Sequence, residues 1–168
     1  MAWIDLNGPV LADTVYDAGK LVAKDVTITL PAINLLTADF KAMGTLTLPI
    51  IGQIEAMEAS ITKIGIDLGL RNMMKLESKT IEIRWAQDVK QADGSTKTEG
   101  CKAFLRVVTK TIPGLSVDPG SQSENELGYA VSRYQLFVDG TEYWLIDQLN
   151  QILRVGGKDY YKQIRSLL

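Results

Sequence analysis

Histidine is absent from the 168 residues, and cysteine occurs once, as Cys101. The first absence excludes a Ser-His-Asp triad and every histidine-ligated zinc site. The second excludes an internal disulfide. Cys101 stands in "EGCKAFLRVV", beside an apolar run, where a thiol reads as a buried packing group rather than a nucleophile. No apolar run approaches the ~20 residues that a membrane helix needs. The opening "MAWIDLNGPV" lacks the basic stretch, apolar stretch and small-residue site of an export signal. Synthesis and retention in the cytoplasm are therefore expected until the protein leaves by another route. No Gly-rich phosphate loop accompanies the acids. No enzyme, metal or cofactor is expected.

What is present is ordinary in amount and uneven in placement. Apolar residues make up 46 % and charged residues 23 %, enough for one domain with a core. The net charge is −2, but Thr111 to Leu153 sets six acids against Arg133 alone. Lys97, Lys102, Arg106 and Lys110 crowd one segment, and Arg154, Lys158, Lys162 and Arg165 the tail. Such blocks suit either docking by complementary patches or plain solvated faces.

β signals dominate. "DVTITLPAI" (25–33) alternates around Val26, Ile28 and Leu30 before Pro31, and "GTLTLPIIG" (44–52) is β-rich and interrupted by Pro49. In "KTIEIRWAQDV" (79–89), Ile81, Ile83 and Trp85 point one way and Thr80, Glu82 and Arg84 the other. Asp93-Gly94 turns the chain into a return strand. There Lys102, Phe104, Arg106, Val108 and Lys110 share one face and Ala103, Leu105 and Val107 the other. A Pro/Gly-rich connection (112–126) leads to a second hairpin turning at Asp139-Gly140. Helix is expected at 65–78, with Ile66, Leu70, Met73 and Met74 in phase, and after Gly156-Gly157, with Tyr160, Tyr161, Ile164 and Leu168 as an apolar face. In "QIEAMEASITK" (53–63), propensity for "IEAMEA" favours helix and the following "SITKIGI" favours strand; the residues alone leave both open.

Several segments, in order, resemble the major tail tube protein of contractile phage tails, the FII-type family shared with R-type bacteriocins. They are "DVTITLPAI", "LTADFKAMGTLTLPIIGQIEAMEASIT" (36–62), "IDLGLRNMM" (66–74) and the closing stretch from "YAVSRYQLFVDGTEYW" (129–144) to "GGKD" (156–159). The chain departs from the family at the hairpin tip, Met43-Gly44 rather than Gly-Gly, and at "IDQ" (146–148) rather than "IDP".

The resemblance implies an antiparallel β-sandwich or barrel with a flanking helix and a short C-terminal helix. Six copies would form a ring and rings would stack into a tube, with strands of all copies joining one barrel around a lumen. It makes 53–63 a strand, with one glutamate toward the channel and the other paired with a base, unless a bulge near Met57 brings both to the lumen. A basic wall would bind phosphates, so Glu55 or Glu58, and Glu82, are assigned to the lumen. Phe40, Met43, Leu46, Leu48, Ile50 and Ile51, at the tip of an extended hairpin, are assigned to the adjacent ring. Lys102, Arg106 and Lys110, with Arg154, Lys158, Lys162 and Arg165, are assigned to subunit or sheath contacts. Implied partners are other copies, a sheath protein, a tape-measure protein, baseplate or initiator and terminator proteins, and DNA in transit. A bacteriocin or injection-device tube would read the same way. The rivals of other classes are a monomeric ligand-binding barrel lined by Trp3, Trp85 and Trp144 with tyrosines, and an enzyme using Glu55 and Glu58 as a carboxylate pair.

Overall fold

The computed structural model describes residues 5–168; Trp3 lies outside them. The strands are β1 (Leu6–Asp17), β2 (Lys20–Lys24), β3 (Thr27–Thr29), β4 (Leu35–Lys41), β5 (Thr45–Ile54), β6 (Met57–Ile64), β7 (Lys79–Lys90), β8 (Thr96–Thr111), β9 (Glu124–Val138), β10 (Thr141–Asp147), β11 (Ile152–Val155) and β12 (Lys158–Asp159). Two short helices, α1 (Leu68–Met73) and α2 (Lys162–Arg165), complete the chain. The protein is mainly β, and every strand pairing is antiparallel.

β9 organises the fold. One edge pairs with β8. Its other edge is shared: Glu124 to Val131 face β6, and Arg133 to Val138 face β10. The change of partner falls at Ser132, an extra residue where the β8–β9 register slips between Arg106 and Val107. A bulge bends a strand, and here the bend lets one strand serve two neighbours. Beyond β8 the order is β7, β1, β2, and β3 lines the far edge of β6. Ile28 and Leu30 come back over Val10, Ile83 and Trp85, so the two wings face each other as a sandwich. Between them lie Val15, Met57, Ile61, Ile81, Ile83, Leu105, Val107, Leu127, Tyr129 and Ile146, all at most 2 % exposed. The alternation read in β7 and β8 places Ile81, Ile83, Ala103, Leu105 and Val107 inside, as expected. Cys101 is buried beside them, and burial pushes its thiol pKa up.

α1 closes one end. The Asp67 carboxylate accepts from the Leu70 N–H at 2.8 Å and caps its start. Its last carbonyls are taken by the core. Tyr129 Oη donates to the Met73 carbonyl at 2.9 Å, Thr109 Oγ1 to Lys75 at 2.8 Å, and Lys79 Nζ to Asn72, Met73 and Lys75. Burial pulls the Lys79 pKa down. Gly69 lets the helix press on β2, because a Cβ there would collide with the Val22 carbonyl oxygen.

Several expectations are corrected. The helix expected over 65–78 is confined to Leu68–Met73. Ile66 lies outside it and is exposed, because Asp67 starts the helix and tertiary caps end it. The strand expected over 25–33 shrinks to Thr27–Thr29. Asp25 has φ 51°, and Asp13 takes the Asp25 and Val26 N–H groups at 3.1 and 3.0 Å, which turns the chain away. Residues 53–63 are two strands broken at Glu55-Ala56, where the Glu55 N–H bonds the Asn34 carbonyl at 2.9 Å. Met57 is buried in an unbroken register with β9, without a bulge. Pro49 does not interrupt β5, which runs to Ile54. In the tail, Tyr161 packs against the core, but Leu168 is 85 % exposed, so the expected apolar face of the last helix does not form.

Candidate assembly surfaces

β4 and β5 form a separate two-stranded hairpin, hydrogen-bonded to no other strand. Ala42 to Gly44 make its tip, with the Ala42 N–H on the Gly44 carbonyl at 3.0 Å. Ala38 lies opposite Leu48 and Phe40 opposite Leu46, while Asp39 faces Thr47 and Lys41 faces Thr45. Period 2 therefore divides the arm. One face carries Ala38, Phe40, Leu46 and Leu48; the other carries Asp39, Lys41, Thr45 and Thr47, with Thr47 Oγ1 donating to Asp39 at 2.7 Å. The chain covers neither face well. Phe40, Met43, Leu46, Leu48, Ile50 and Ile51 are all exposed, Phe40 by 52 %. Leu36, equally exposed, extends the row and was not singled out from sequence.

The second surface is the outer face of the main sheet. Glu58 on β6 forms an ion pair with Lys110 on β8, both side chains more than half exposed. Glu82 pairs with Arg84 on β7, and the Arg84 guanidinium lies 4.6 Å from the Tyr16 ring centre, a cation–π contact. Arg84 is directly opposite Lys102, and Glu82 opposite Phe104. Lys102, Arg106 and Lys110 thus leave the sheet on the same side as Glu58 and Glu82. The division drawn from sequence, acids to the channel and these bases elsewhere, does not hold: one face carries both. Glu55 does not join them, because it sits exposed at the elbow between β5 and β6.

The tail cations are partly spoken for within the chain. Arg154 makes a two-toothed pair with Glu142 at 2.7 and 3.2 Å, joined by Gln135 at 3.2 Å. The bond from Arg154 holds the Glu142 carboxyl below its ordinary range. Arg165 bonds Asp159 at 2.7 Å and the Gln151 carbonyl at 2.8 Å, and that bond likewise lowers the Asp159 pKa. Arg154 and Arg165 therefore serve the fold first, with more than a third of each side chain still exposed. Lys158 lies 5.1 Å from the Tyr160 ring centre, and Lys162 is exposed.

Trp85 and Trp144 do not line one pocket. Trp85 borders an open groove of about 630 Å³ with Ala12, Ala86, Phe104 and Phe137. Trp144 instead packs edge-on against Tyr134 at 5.5 Å, and burial raises the Tyr134 hydroxyl to about 12. Among the described residues, no cluster of three or more acidic or thiol ligands could hold a metal ion. Glu58 is taken by Lys110, while Glu55 lies exposed between β5 and β6.

A β-sandwich that carries an exposed amphipathic arm has the build of a structural subunit. Residues 12–168 match the phage tail tube protein FII family, and the chain belongs to it: it is a structural tail tube subunit. The fold is similar to that of a chain in the sheath–tube complex of an extracellular contractile injection system, PVC, in its extended state. The TM-score is 0.54 at 15 % identity, over 77 % of this chain and 90 % of that one. It is also similar to a chain from the sheath/tube terminator of the same system, with TM-score 0.53, 15 % identity, and 77 % and 95 % covered. No curated protein matches the chain.

Proposed function

We propose that six copies of this tail tube subunit close into a ring and that rings stack into the hollow inner tube of a contractile particle. The observation that carries this reading is the β4–β5 arm. Its apolar face has no partner strand among the described residues, and a copy that offers such a face to a different surface of the next copy makes a contact that repeats without closing. Phe40, Met43, Leu46, Leu48, Ile50 and Ile51, with Leu36, are the residues assigned to the adjacent ring. Edge strands left bare in one copy would pair in a closed ring.

The charged face of the sheet is assigned to the channel. Two of its four bases are held by acids within the chain, Lys110 by Glu58 and Arg84 by Glu82. Phosphates in transit then meet few free cations, and release of counterions adds little affinity. Lys102 and Arg106, which form no ion pair among the described residues, are assigned to acids of the neighbouring copy. Lys158 and Lys162 are assigned to a surrounding sheath, which exposed pairs of roughly 0–1 kcal/mol each would hold and release. A tape-measure protein and DNA would occupy the bore, a baseplate or initiator protein one end and a terminator the other, with assembly in the bacterial cytoplasm. No described helix is long and apolar enough to cross a membrane.

The second reading is the tube of a phage-tail-like bacteriocin or extracellular injection device, with a protein cargo or none. The likeness to two chains of such a system favours it. The subunit architecture is the same in both readings. Negative-stain imaging of the purified protein tests them together: rings or tubes with six-fold end views are expected. A protein that stays a single copy at high concentration would overturn the tube reading and favour the ligand-binding barrel.

A further inference from the structure

The arm is attached at a narrow root. At its base the register slips, so that Leu35 pairs with Ile54 but Thr37 pairs with Pro49. The surplus residues of β5, among them Gly52, bulge out of the ladder. Gly52 has φ +95°, and a Cβ there would collide with the ring of Tyr161. That ring also packs against the hydrophobic core, so it is wedged between the sandwich and the arm's root.

The tail holds the wedge in place. The Tyr161 N–H bonds Asp159 Oδ1 at 3.0 Å, and Asp159 is in turn held by Arg165 at 2.7 Å. The Tyr160 N–H bonds the Leu153 carbonyl at 2.8 Å. A second strut lies beside the ring, where Gln148 Nε2 donates to the Ile54 carbonyl at 3.3 Å. The Tyr161 ring and the Gln148 amide both reach the place where the arm departs, and the ring is the bulkier of them.

We propose that Tyr161 is a positioning residue for assembly: seated on Gly52, its ring sets the angle at which the β4–β5 arm leaves the sandwich, and so the direction in which the apolar face meets the next copy. A glycine at position 52 lets the backbone bulge against the ring. The C-terminal segment thereby governs a surface to which it contributes no side chain. The inference deepens the tube reading and rests on it for its consequence, but the angle itself is measurable in the monomer.

Spin labels on Thr47→Cys, in the arm, and Thr98→Cys, on β8, in a Cys101→Ser background report that angle as a distance distribution. One narrow distribution is expected for the otherwise native chain and for Tyr161→Phe, which keeps the ring. Tyr161→Ala is expected to broaden or shift it and to raise the concentration needed for assembly at least tenfold. Gly52→Ala leaves the ring and the tail intact and should displace the arm likewise, which keeps the test open if Tyr161→Ala folds poorly. An unchanged distribution in Gly52→Ala or in folded Tyr161→Ala overturns the proposal. A displaced arm in a chain whose native form never makes tubes sinks the tube reading and leaves the positioning role standing.

Discussion

Replacing Phe40 separates folding from assembly most sharply. Phe40 is 52 % exposed in the isolated chain and lies opposite Leu46 across the hairpin. Removing the ring should cost the monomer at most about 1.5 kcal/mol, the worth of the half its own chain already covers. Full burial of a phenylalanine is worth up to about 3 kcal/mol. The half still bare can therefore contribute about 1.5 kcal/mol when another copy covers it, close to a factor of ten in an equilibrium constant. Phe40→Ala should raise the critical concentration for tube formation about tenfold while lowering the melting temperature by no more than about 6 °C. Phe40→Asp adds the cost of desolvating a carboxylate, at least a further ~2 kcal/mol, and should abolish tubes at concentrations where the native chain assembles. Sedimentation of polymer against free protein measures the first quantity, and thermal unfolding monitored by circular dichroism the second. Phe40→Asp protein that polymerises at the native concentration would refute the reasoning. So would a Phe40→Ala melting temperature lower by well over about 6 °C, since the arm would then be part of the monomer's core.

Three further outcomes are expected. Glu58→Lys should lower the stability of the monomer by at most about 1 kcal/mol, since the pair with Lys110 is solvent-exposed, and the double change with Lys110→Glu should restore it in a thermal melt. Glu142 and Asp159 have folded pKa values below their ordinary 4.5 and 3.8. Their stabilisation is full above the ordinary carboxylate range and is lost as pH falls through the lowered values; Glu142→Gln and Asp159→Asn should flatten the acid limb of melting temperature against pH. Gly69→Ala should destabilise the fold by about 2 kcal/mol despite alanine's better helix propensity, because the added methyl meets the Val22 carbonyl. At roughly 2–4 °C per kcal/mol for a chain of this size, a fall of about 4–8 °C is expected.

The legible parts of the sequence were those whose cause is local. Ile81, Ile83, Ala103, Leu105 and Val107 announce the core because alternation needs only a strand's own residues, and Asp139-Gly140 announces its turn for the same reason. The extended hairpin came from the family resemblance over 36–62 rather than from periodicity. What sequence missed is what distant groups decide. The break at Glu55 exists because the Asn34 carbonyl waits for its N–H. The early strand ends because Asp13 claims two N–H groups. Leu6–Asp17, with Gly8 and Pro9 within it, lacks a clean period and becomes a strand through its pairing with β7. That Glu58 and Lys110 share a face follows from the side-by-side order of β6, β9 and β8, which no single segment encodes.

The bulge at Ser132 has a mechanical meaning. Because β9 is hydrogen-bonded along one flank to β6 and then to β10, and along the other to β8, a load on β9 is shared among those three strands through one continuous backbone. Shearing one wing past the other would mean tearing that ladder. A column built of such bricks bends or twists at the seams between them, while each brick keeps its shape.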